Sequence, residues 1–245
     1  MTSALYGELA RYYDRIYAKE DAAALAQRVE AVARRALRRP GRRLLDVGCG
    51  TGRHLVEFRR NFEVAGVDVN PAMLRVARAT LGPKIPLAEG DMREFDLGER
   101  FDVLVCLFSA FGYLLTRGDR DRAAANFFRH LAPGGVALIE GWVLPEHWKD
   151  RHTDLLTYAD ATTKIARVTW SYRRGDVSML DMHYLVADGE GPVRHFTELH
   201  RMALVPPEEV LGSLRRAGFR ARVLRSGRFA LRGLYVGVRP PAPPE

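Results

Sequence analysis

The sequence predicts a doubly wound α/β fold, in which a mostly parallel seven-stranded sheet carries helices on both faces and an antiparallel β meander is inserted. Three observations predict it. Short apolar segments alternate with helical segments between residues 43 and 140, as expected of parallel strands joined by crossover helices. A glycine-rich turn follows the first apolar segment. Near residue 161 the alternation gives way to hairpin signals, and it returns near residue 207.

The elements before the insertion follow in a regular order. One or two helices are predicted over residues 3–38, because Ala22, Leu25 and Val29 recur at helical spacing and Pro40 ends the run. Asn70 is the expected N-cap of a later helix. Strands are predicted at residues 43–47, 62–67, 85–88, 101–108 and 136–140, and helices at residues 51–60, 71–80 and 119–131.

Residues 161–204 contain three strand-like segments separated by two turn signals, at residues 174–176 and 188–191. We expect a meander that forms a lid over the ligand crevice at the carboxyl ends of the main strands. A helix at 207–217 and strands at 219–224 and 231–238 complete the core. The predicted organisation is therefore N-terminal helices and cofactor-binding core (1–142), inserted lid (143–204), closing helix and hairpin (205–239) and a disordered Pro-rich tail (240–245).

Composition narrows the class of protein. The chain has 245 residues, 47% of them apolar, which is enough for one large domain or for a core with an insertion. No apolar run approaches the length of a membrane span, and no signal peptide is visible. Two cysteines exclude a disulfide scaffold and favour the cytoplasm. The net charge of +8 comes mainly from scattered arginines, which favours a solvated surface over a nucleic-acid site.

The strongest local signal is the sequence LLDVGCGTG at residues 44–52. The glycines Gly48, Gly50 and Gly52 let the backbone turn sharply and approach a ligand without a Cβ in the way, and the helix start that follows suits a carboxylate. Asp46 precedes the turn. Asp68, at the end of the second strand, can accept hydrogen bonds from both hydroxyls of an adenosine ribose.

A further acidic element, Asp91 followed by Met92, comes after the third strand. Asp91 can accept from an exocyclic amine and Met92 can cover an adenine ring. The spacing G-x-G-x-G, preceded by an acid, differs from the G-x-G-x-x-G of nicotinamide and flavin enzymes. With these elements the chain resembles the class I S-adenosylmethionine-dependent methyltransferases, which have a Rossmann-like fold. The resemblance implies S-adenosyl-L-methionine as cofactor, a contact from Leu107 to its adenine end, and a reversed hairpin at one sheet edge.

A narrower resemblance is to the dTDP-amino-sugar N,N-dimethyltransferases of the desosamine and mycaminose type. It lies in residues 12–17 (YYDRIY), 90–95 (GDMREF), 107–114 (LFSAFGYL), 193–200 (VRHFTELH) and 232–237 (RGLYVG). Those enzymes carry E-P-W-W-F-P where this chain has EGWVLP at residues 140–145. Trp142 is retained as a candidate acceptor contact, and the loss of the second tryptophan alters the acceptor pocket.

The resemblance implies N-methylation of a nucleotide-linked amino sugar. Methyl transfer from a sulfonium needs positioning and desolvation rather than a nucleophilic side chain. The acceptor nitrogen must be neutral, so Tyr13 and Tyr113 are the candidate catalytic residues. The diphosphate needs cations, for which Arg173, His195 and Arg232 are candidates. The histidines lack metal-ligand spacing, so no metal is expected, and the expected partners are a small phosphorylated amine and a second copy in a homodimer.

Three alternatives compete with this interpretation. One is another small-molecule N- or O-methyltransferase. The second is a nucleic-acid methyltransferase, but the chain lacks the Asn/Asp-Pro-Pro-aromatic run after the fourth strand, and Cys106 follows Val105 rather than Pro or Thr. The third is a non-catalytic binding module, which the intact glycine and aspartate set argues against.

Overall fold

The computed structural model describes residues 7–242. Its main sheet contains seven strands: β1 (Arg43–Val47), β2 (Glu63–Asp68), β3 (Leu87–Glu89), β4 (Phe101–Cys106), β5 (Leu131–Glu140), β10 (Arg220–Leu224) and β11 (Leu234–Val238). Their order across the sheet is β3-β2-β1-β4-β5-β11-β10. The first five strands are parallel, and β11 runs antiparallel to both of its neighbours. The doubly wound fold with a reversed hairpin at one edge is confirmed.

The helices flank this sheet. They are α1 (Tyr13–Ile16), α2 (Ala22–Ala36), α3 (Arg53–Phe58), α4 (Pro71–Leu81), α5 (Arg117–His130) and α6 (Pro207–Arg216). Short 3-10 helices span Glu8–Tyr12, Ala110–Tyr113, Pro145–His147 and Gly227–Phe229. The Asn70 side chain accepts from the backbone N–H groups of Ala72 (2.8 Å) and Met73 (3.2 Å), so the predicted N-cap is confirmed. Residues 3–6 of the predicted first helix lie outside the described residues.

The inserted segment forms a second sheet of four strands rather than three. Its strands are β6 (His152–Ala159), β7 (Lys164–Arg174), β8 (Val177–Ala187) and β9 (Arg194–Ala203), paired antiparallel in chain order. Both predicted hairpin turns are present. β6 is not predicted from the sequence, because this edge strand is mostly exposed and polar and so lacks a strong apolar alternation.

The second sheet has an inner and an outer face. Side chains of the inner face, including Leu180, Met182 and Tyr184, pack with Leu9 and Ile16 of the N-terminal helices in one apolar cluster. Two other clusters cover the two faces of the main sheet. The N-terminal helices therefore join the second sheet to the core, and a cavity lies where these three parts meet.

A polar clamp fixes the same arrangement. The Tyr12 hydroxyl donates to the carboxylate of Asp188, at the β8–β9 turn. Arg194 donates to the Tyr12 oxygen at 2.6 Å and also pairs with Asp188. No helix among residues 7–242 is long and apolar enough to cross a membrane. Of the predicted tail, residues 240–242 lack regular structure, and residues 243–245 lie outside the described part.

Candidate active site

The glycine-rich turn leaves β1 and is held against β2. The backbone N–H groups of Gly48 and Cys49 both donate to the carbonyl of Val67, at 2.7 and 3.1 Å. Gly48, Gly50 and Gly52 have φ values of 75°, 56° and 78°, in the left-handed region that favours glycine. A Cβ on Gly48 would also lie 2.8 Å from the Cβ of Ala110. The turn therefore has no room for a side chain at this position.

Asp68 ends β2 with its carboxylate fixed beside that turn. Its Oδ2 accepts from the Gly50 N–H at 2.7 Å and its Oδ1 from the Asn70 N–H at 2.8 Å. Burial raises the pKa of Asp68, and these two hydrogen bonds oppose the rise. Each carboxylate oxygen can accept a further hydrogen bond. The carboxylate is thus held in a fixed orientation, and the prediction that it binds the two hydroxyls of a ribose is compatible with this geometry.

Two further predicted residues, Asp46 and Gly52, lie away from the cavity and do not line it. Asp46 is buried in β1, and its Oδ2 has no hydrogen-bond partner in the described protein. Burial, followed by the charge of Asp68, raises the pKa of Asp46 to about 8. A Cβ on Gly52 would approach the Leu81 Cδ1 to 2.7 Å, so this glycine lets the turn pack closely on α4.

Asp91, Met92 and Leu107 line the cavity together with Asp68. Arg93, which the sequence analysis did not single out, holds the Asp91 carboxylate with two guanidinium hydrogen bonds of 2.9 and 2.6 Å. These bonds lower the pKa of Asp91 and keep it ionised. An ionised, oriented acceptor beside two apolar side chains suits an adenine ring with its exocyclic amine.

The cavity has a volume of about 670 Å³, within the range of about 300–1,000 Å³ typical of small-molecule sites. Its walls come from the carboxyl end of the main sheet, the N-terminal helices and the inner face of the second sheet. The structure brings ten of the predicted residues to it: Tyr13, Gly48, Gly50, Asp68, Asp91, Met92, Leu107, Tyr113, Trp142 and Arg232.

Two predicted phosphate ligands, Arg173 and His195, do not line this cavity. Arg173 lies at the end of β7 and pairs with Asp176 at 3.0 Å. His195 lies on the outer face of the second sheet, stacked on His183 with ring centroids 5.3 Å apart. The period-two alternation of β9 turns His200 inward and His195 outward. Arg173 lies near the end of β7, outside the cavity wall.

The inner face supplies two site residues that the sequence analysis missed, Arg167 and His200. Arg167 is 8% exposed; its guanidinium donates to Tyr17 and Asp154, both at 3.2 Å, while its Nε has no partner among the described residues. The His200 ring lies 2.8 Å from the Tyr113 hydroxyl. Strand alternation could have pointed to both residues, had the register of the insertion been known.

Arg232 is positioned by two neighbours. Its Nη1 lies 3.6 Å from Oε1 of the buried Glu140, and its guanidinium carbon lies 5.7 Å from the centroid of the Trp142 ring. Glu140 also accepts from the backbone N–H of Phe108 at 2.8 Å. Phe108 and Ser109 have φ values of 52° and 64°, so the chain that leaves β4 is strained at the cavity wall.

Among residues 7–242, no three His, Cys, Asp or Glu side chains form a cluster that could hold a metal ion. The turn, the carboxylates of Asp68 and Asp91, and the apolar pair beside them fit S-adenosylmethionine, which supplies an electrophilic methyl group on a sulfonium. On a seven-stranded sheet with one reversed strand, they define a class I S-adenosylmethionine-dependent methyltransferase.

Comparisons with known proteins define the family more closely. Residues 44–135 match the methyltransferase domain family. The chain is 40% identical to the dTDP-3-amino-3,4,6-trideoxy-alpha-D-glucopyranose N,N-dimethyltransferase of Streptomyces venezuelae, over 80% of this chain and 82% of that one. It is 38% identical to the dTDP-4-amino-2,3,4,6-tetradeoxy-D-glucose N,N-dimethyltransferase of Saccharopolyspora spinosa, over 97% and 96%. The chain belongs to the family of dTDP-amino-sugar N,N-dimethyltransferases.

A solved structure supports the cofactor. The amino pentose methyltransferase of Micromonospora echinaspora, solved with S-adenosylmethionine bound, is 38% identical and superimposes with a TM-score of 0.79, covering 90% of this chain and 92% of that one. The cofactor of the present protein is S-adenosylmethionine.

Proposed function

We propose that this enzyme methylates the amine of a dTDP-linked amino sugar. The observation that carries the proposal is the likeness, at 38–40% identity over most of the chain, to two enzymes named for that substrate class. Those two names differ in the position of the amine, on C3 in one and on C4 in the other. We therefore propose only the class of acceptor, which is an amino group on a dTDP-linked deoxysugar.

The cavity suits this chemistry. Transfer from the sulfonium to nitrogen is an in-line displacement, so the protein contributes by orienting the amine and excluding water. We assign Tyr13 and Tyr113 to that task, since both line the cavity. Burial raises the pKa of Tyr13 well above its ordinary value, so this phenol stays protonated and orients the amine rather than removing its proton.

The diphosphate requires cations. Among the described residues, four cationic side chains line the cavity: Lys19, Arg93, Arg167 and Arg232. Arg93 is held by two carboxylates, those of Asp91 and Asp119, whereas Arg167 and Arg232 each pair with one, that of Asp154 and that of Glu140. We therefore assign the diphosphate to Arg232 and Arg167, whose planar guanidinium groups suit bidentate binding of phosphate oxygens. Trp142, beneath the Arg232 guanidinium, is the proposed apolar contact of the sugar.

The test combines a substrate panel with one variant. The wild-type protein is assayed by mass spectrometry with C3- and C4-aminated dTDP-sugars, free amines, phenols and an RNA fragment. Arg232→Gln is expected to weaken acceptor affinity by about 10- to 100-fold, the loss of one charge-assisted hydrogen bond, and to leave cofactor affinity unchanged. Arg225→Gln, an exposed arginine paired with Glu146, is the matched control.

The acceptor proposal is wrong if the aminated dTDP-sugars neither bind nor become methylated while another acceptor does. Binding of dTDP is expected to weaken as salt rises, since screening reduces the attraction of the guanidinium groups for the diphosphate. A salt-independent affinity would contradict the assignment of Arg167 and Arg232.

We also propose a homodimer formed through the outer face of the second sheet. Five large apolar side chains on that face are 46–64% exposed, which is unusual for a face that stays in water. We define them as the outer apolar face: Leu155, Val168, Trp170, Leu185 and Leu199.

The cytoplasm is the proposed compartment, since both cysteines are buried free thiols, as is usual in a reducing environment.

A further inference from the structure

A chain of hydrogen bonds leads from the cavity into the second sheet. The Tyr113 hydroxyl lies 2.8 Å from Nδ1 of His200, and Nε2 of His200 lies 2.9 Å from Oε2 of Glu198. Tyr113 is 39% exposed and lines the cavity, as does His200, whereas the Glu198 side chain is 1% exposed. The three groups therefore run from the reaction site to a buried carboxylate.

The direction of the hydrogen bonds follows from the chemistry of the groups. A carboxylate can only accept, so in this arrangement the Nε2–H of His200 is the donor and Glu198 is the acceptor. The Nδ1 of a neutral imidazole is then an acceptor, and the Tyr113 hydroxyl donates to it. A hydroxyl group that donates one hydrogen bond can also accept through its oxygen, so the Tyr113 oxygen can receive a hydrogen from a donor in the cavity.

The fold builds this arrangement from two elements distant in sequence. Glu198 and His200 are two residues apart in β9, so both project from its inner face. Tyr113 ends the 3-10 helix that follows β4. Gly112 lets this helix approach β9, because a Cβ there would lie 2.9 Å from Cε of Met202 and 3.0 Å from Cβ of Trp142.

We propose that Tyr113 and His200 form a proton relay that deprotonates the acceptor ammonium, with Glu198 as the positioning residue. The proposal rests on the amine acceptor proposed above. The ammonium N–H donates its proton to the Tyr113 oxygen while the tyrosine proton moves to Nδ1 of His200. The neutral nitrogen then uses its lone pair to form the N–C bond to the methyl group as the C–S bond breaks, with the electron pair passing to sulfur.

The product nitrogen is again a cation, so charge is conserved in the transfer. The proton on His200 returns through Tyr113 to cavity water after product leaves. Glu198 balances the imidazolium in the interval, which matters because burying an unpaired charge is costly. The other titratable groups around the relay include Tyr13, Tyr17, Tyr184, Arg167 and Arg232. The carboxylates of Asp154 and Glu140 pair with these two arginines.

The pH dependence of kcat/KM tests the relay. At a pH below the pKa of the amine, the wild type binds the ammonium and deprotonates it in place. The His200→Gln variant can use only amine that is already neutral in solution. Its kcat/KM therefore falls about tenfold for each unit by which the pH is lowered below the pKa of the amine. We expect a loss of about 100-fold near neutral pH that closes at high pH, where the free amine is neutral. Tyr113→Phe should show the same profile.

Glu198→Gln keeps a hydrogen-bond partner for the Nε2 of His200 but removes the balancing charge. We therefore expect a smaller loss of kcat/KM, with the same dependence on pH. His152→Gln, an exposed histidine at the start of β6, is the matched control and should keep the wild-type profile. Calorimetry should show unchanged S-adenosylmethionine affinity in every variant, and the ¹⁵N shifts of labelled His200 should report a proton on Nε2 in the free enzyme.

The relay is overturned if His200→Gln loses the same factor of kcat/KM at every pH, which is the sign of a structural role, or loses nothing. This failure differs from that of the proposed function. Absence of methylation of any amine by the wild type rejects the acceptor class, whereas a normal wild-type rate with a pH-independent variant rejects only the relay.

Discussion

At the scale of single residues, Asp68 is the clearest link between the sequence motif and cofactor affinity. It already accepts from Gly50 and Asn70, so its carboxylate is oriented before any ligand arrives. Asp68→Asn preserves the shape but removes the charge, and we expect S-adenosylmethionine affinity to fall about 10- to 100-fold, or roughly 1.5–3 kcal/mol. Isothermal calorimetry measures this. Glu63→Gln, exposed at the other end of β2, should bind as the wild type does, and unchanged affinity in Asp68→Asn would remove the ribose assignment.

Asp46 makes stability depend on pH. Its pKa is raised to about 8 by burial, from an ordinary value of about 3.9 when unfolded. The folded protein therefore binds more protons than the unfolded chain between these values, and the free energy of unfolding falls as pH rises through this range.

As the pH rises from about 5 to about 8, we expect the free energy of unfolding to fall less in Asp46→Asn than in the wild type. The difference should be at least about 1.4 kcal/mol, the equivalent of one pKa unit. Urea unfolding of the cofactor-free protein at several pH values measures the difference. Asp176→Asn, whose side chain is 83% exposed, is the control and should follow the wild type. Parallel curves for Asp46→Asn and the wild type would show that Asp46 ionises freely in the folded state.

The cofactor half of the site could be predicted from the sequence because its geometry is local. The turn glycines, Asp68 and Asp91 each follow directly from the end of one parallel strand, and parallel strands align their carboxyl ends. The acceptor half depends on the strand register of the insertion. A shift of one residue in β9 would turn His200 outward and put Leu199 or Arg201 in its place, and no local pattern reveals that register.

At the scale of elements, burial decides which strands the sequence reveals. β1 and β4 are buried on both faces, and their apolar runs predicted them to within two residues of the observed bounds. β6 is an exposed edge strand, and it was missed. β5 begins at Leu131, five residues before the predicted start, because α5 ends at His130 and the chain continues into the strand through Pro133 and Gly134.

The inserted sheet is more than a cover over the cavity. Its inner face contributes Arg167 and His200 to the cavity wall and also packs on the N-terminal helices. The clamp of Tyr12, Asp188 and Arg194 ties those helices to the β8–β9 turn. Since Tyr13, which lines the cavity, directly follows Tyr12, the clamp also helps to hold this part of the cavity wall in place.

At the scale of the whole molecule, the two faces of the inserted sheet divide its functions. The inner face closes the cavity. The outer face of the sheet presents the five side chains of the outer apolar face, and one of these, Trp170, stacks on Tyr172 with the ring centroids 4.4 Å apart. The net charge of +8 makes separate copies repel each other at low salt, whereas the five side chains of the outer apolar face carry no charge. Association through this face would therefore be driven by apolar burial and would strengthen as salt screens the repulsion.

We expect sedimentation to report a dimer at micromolar concentration, more stable at higher salt. The double variant Trp170→Lys, Leu185→Lys puts two charges on each copy of the outer apolar face, and a symmetric dimer brings four together, so it should be monomeric. Leu231→Lys, an apolar side chain 56% exposed on the closing hairpin, is the matched control and should remain dimeric. The cavity is formed within one chain, so the monomeric variant should keep its affinity for S-adenosylmethionine. A wild type that sediments as a monomer at every salt concentration, or a double variant that stays dimeric, would contradict the proposed interface.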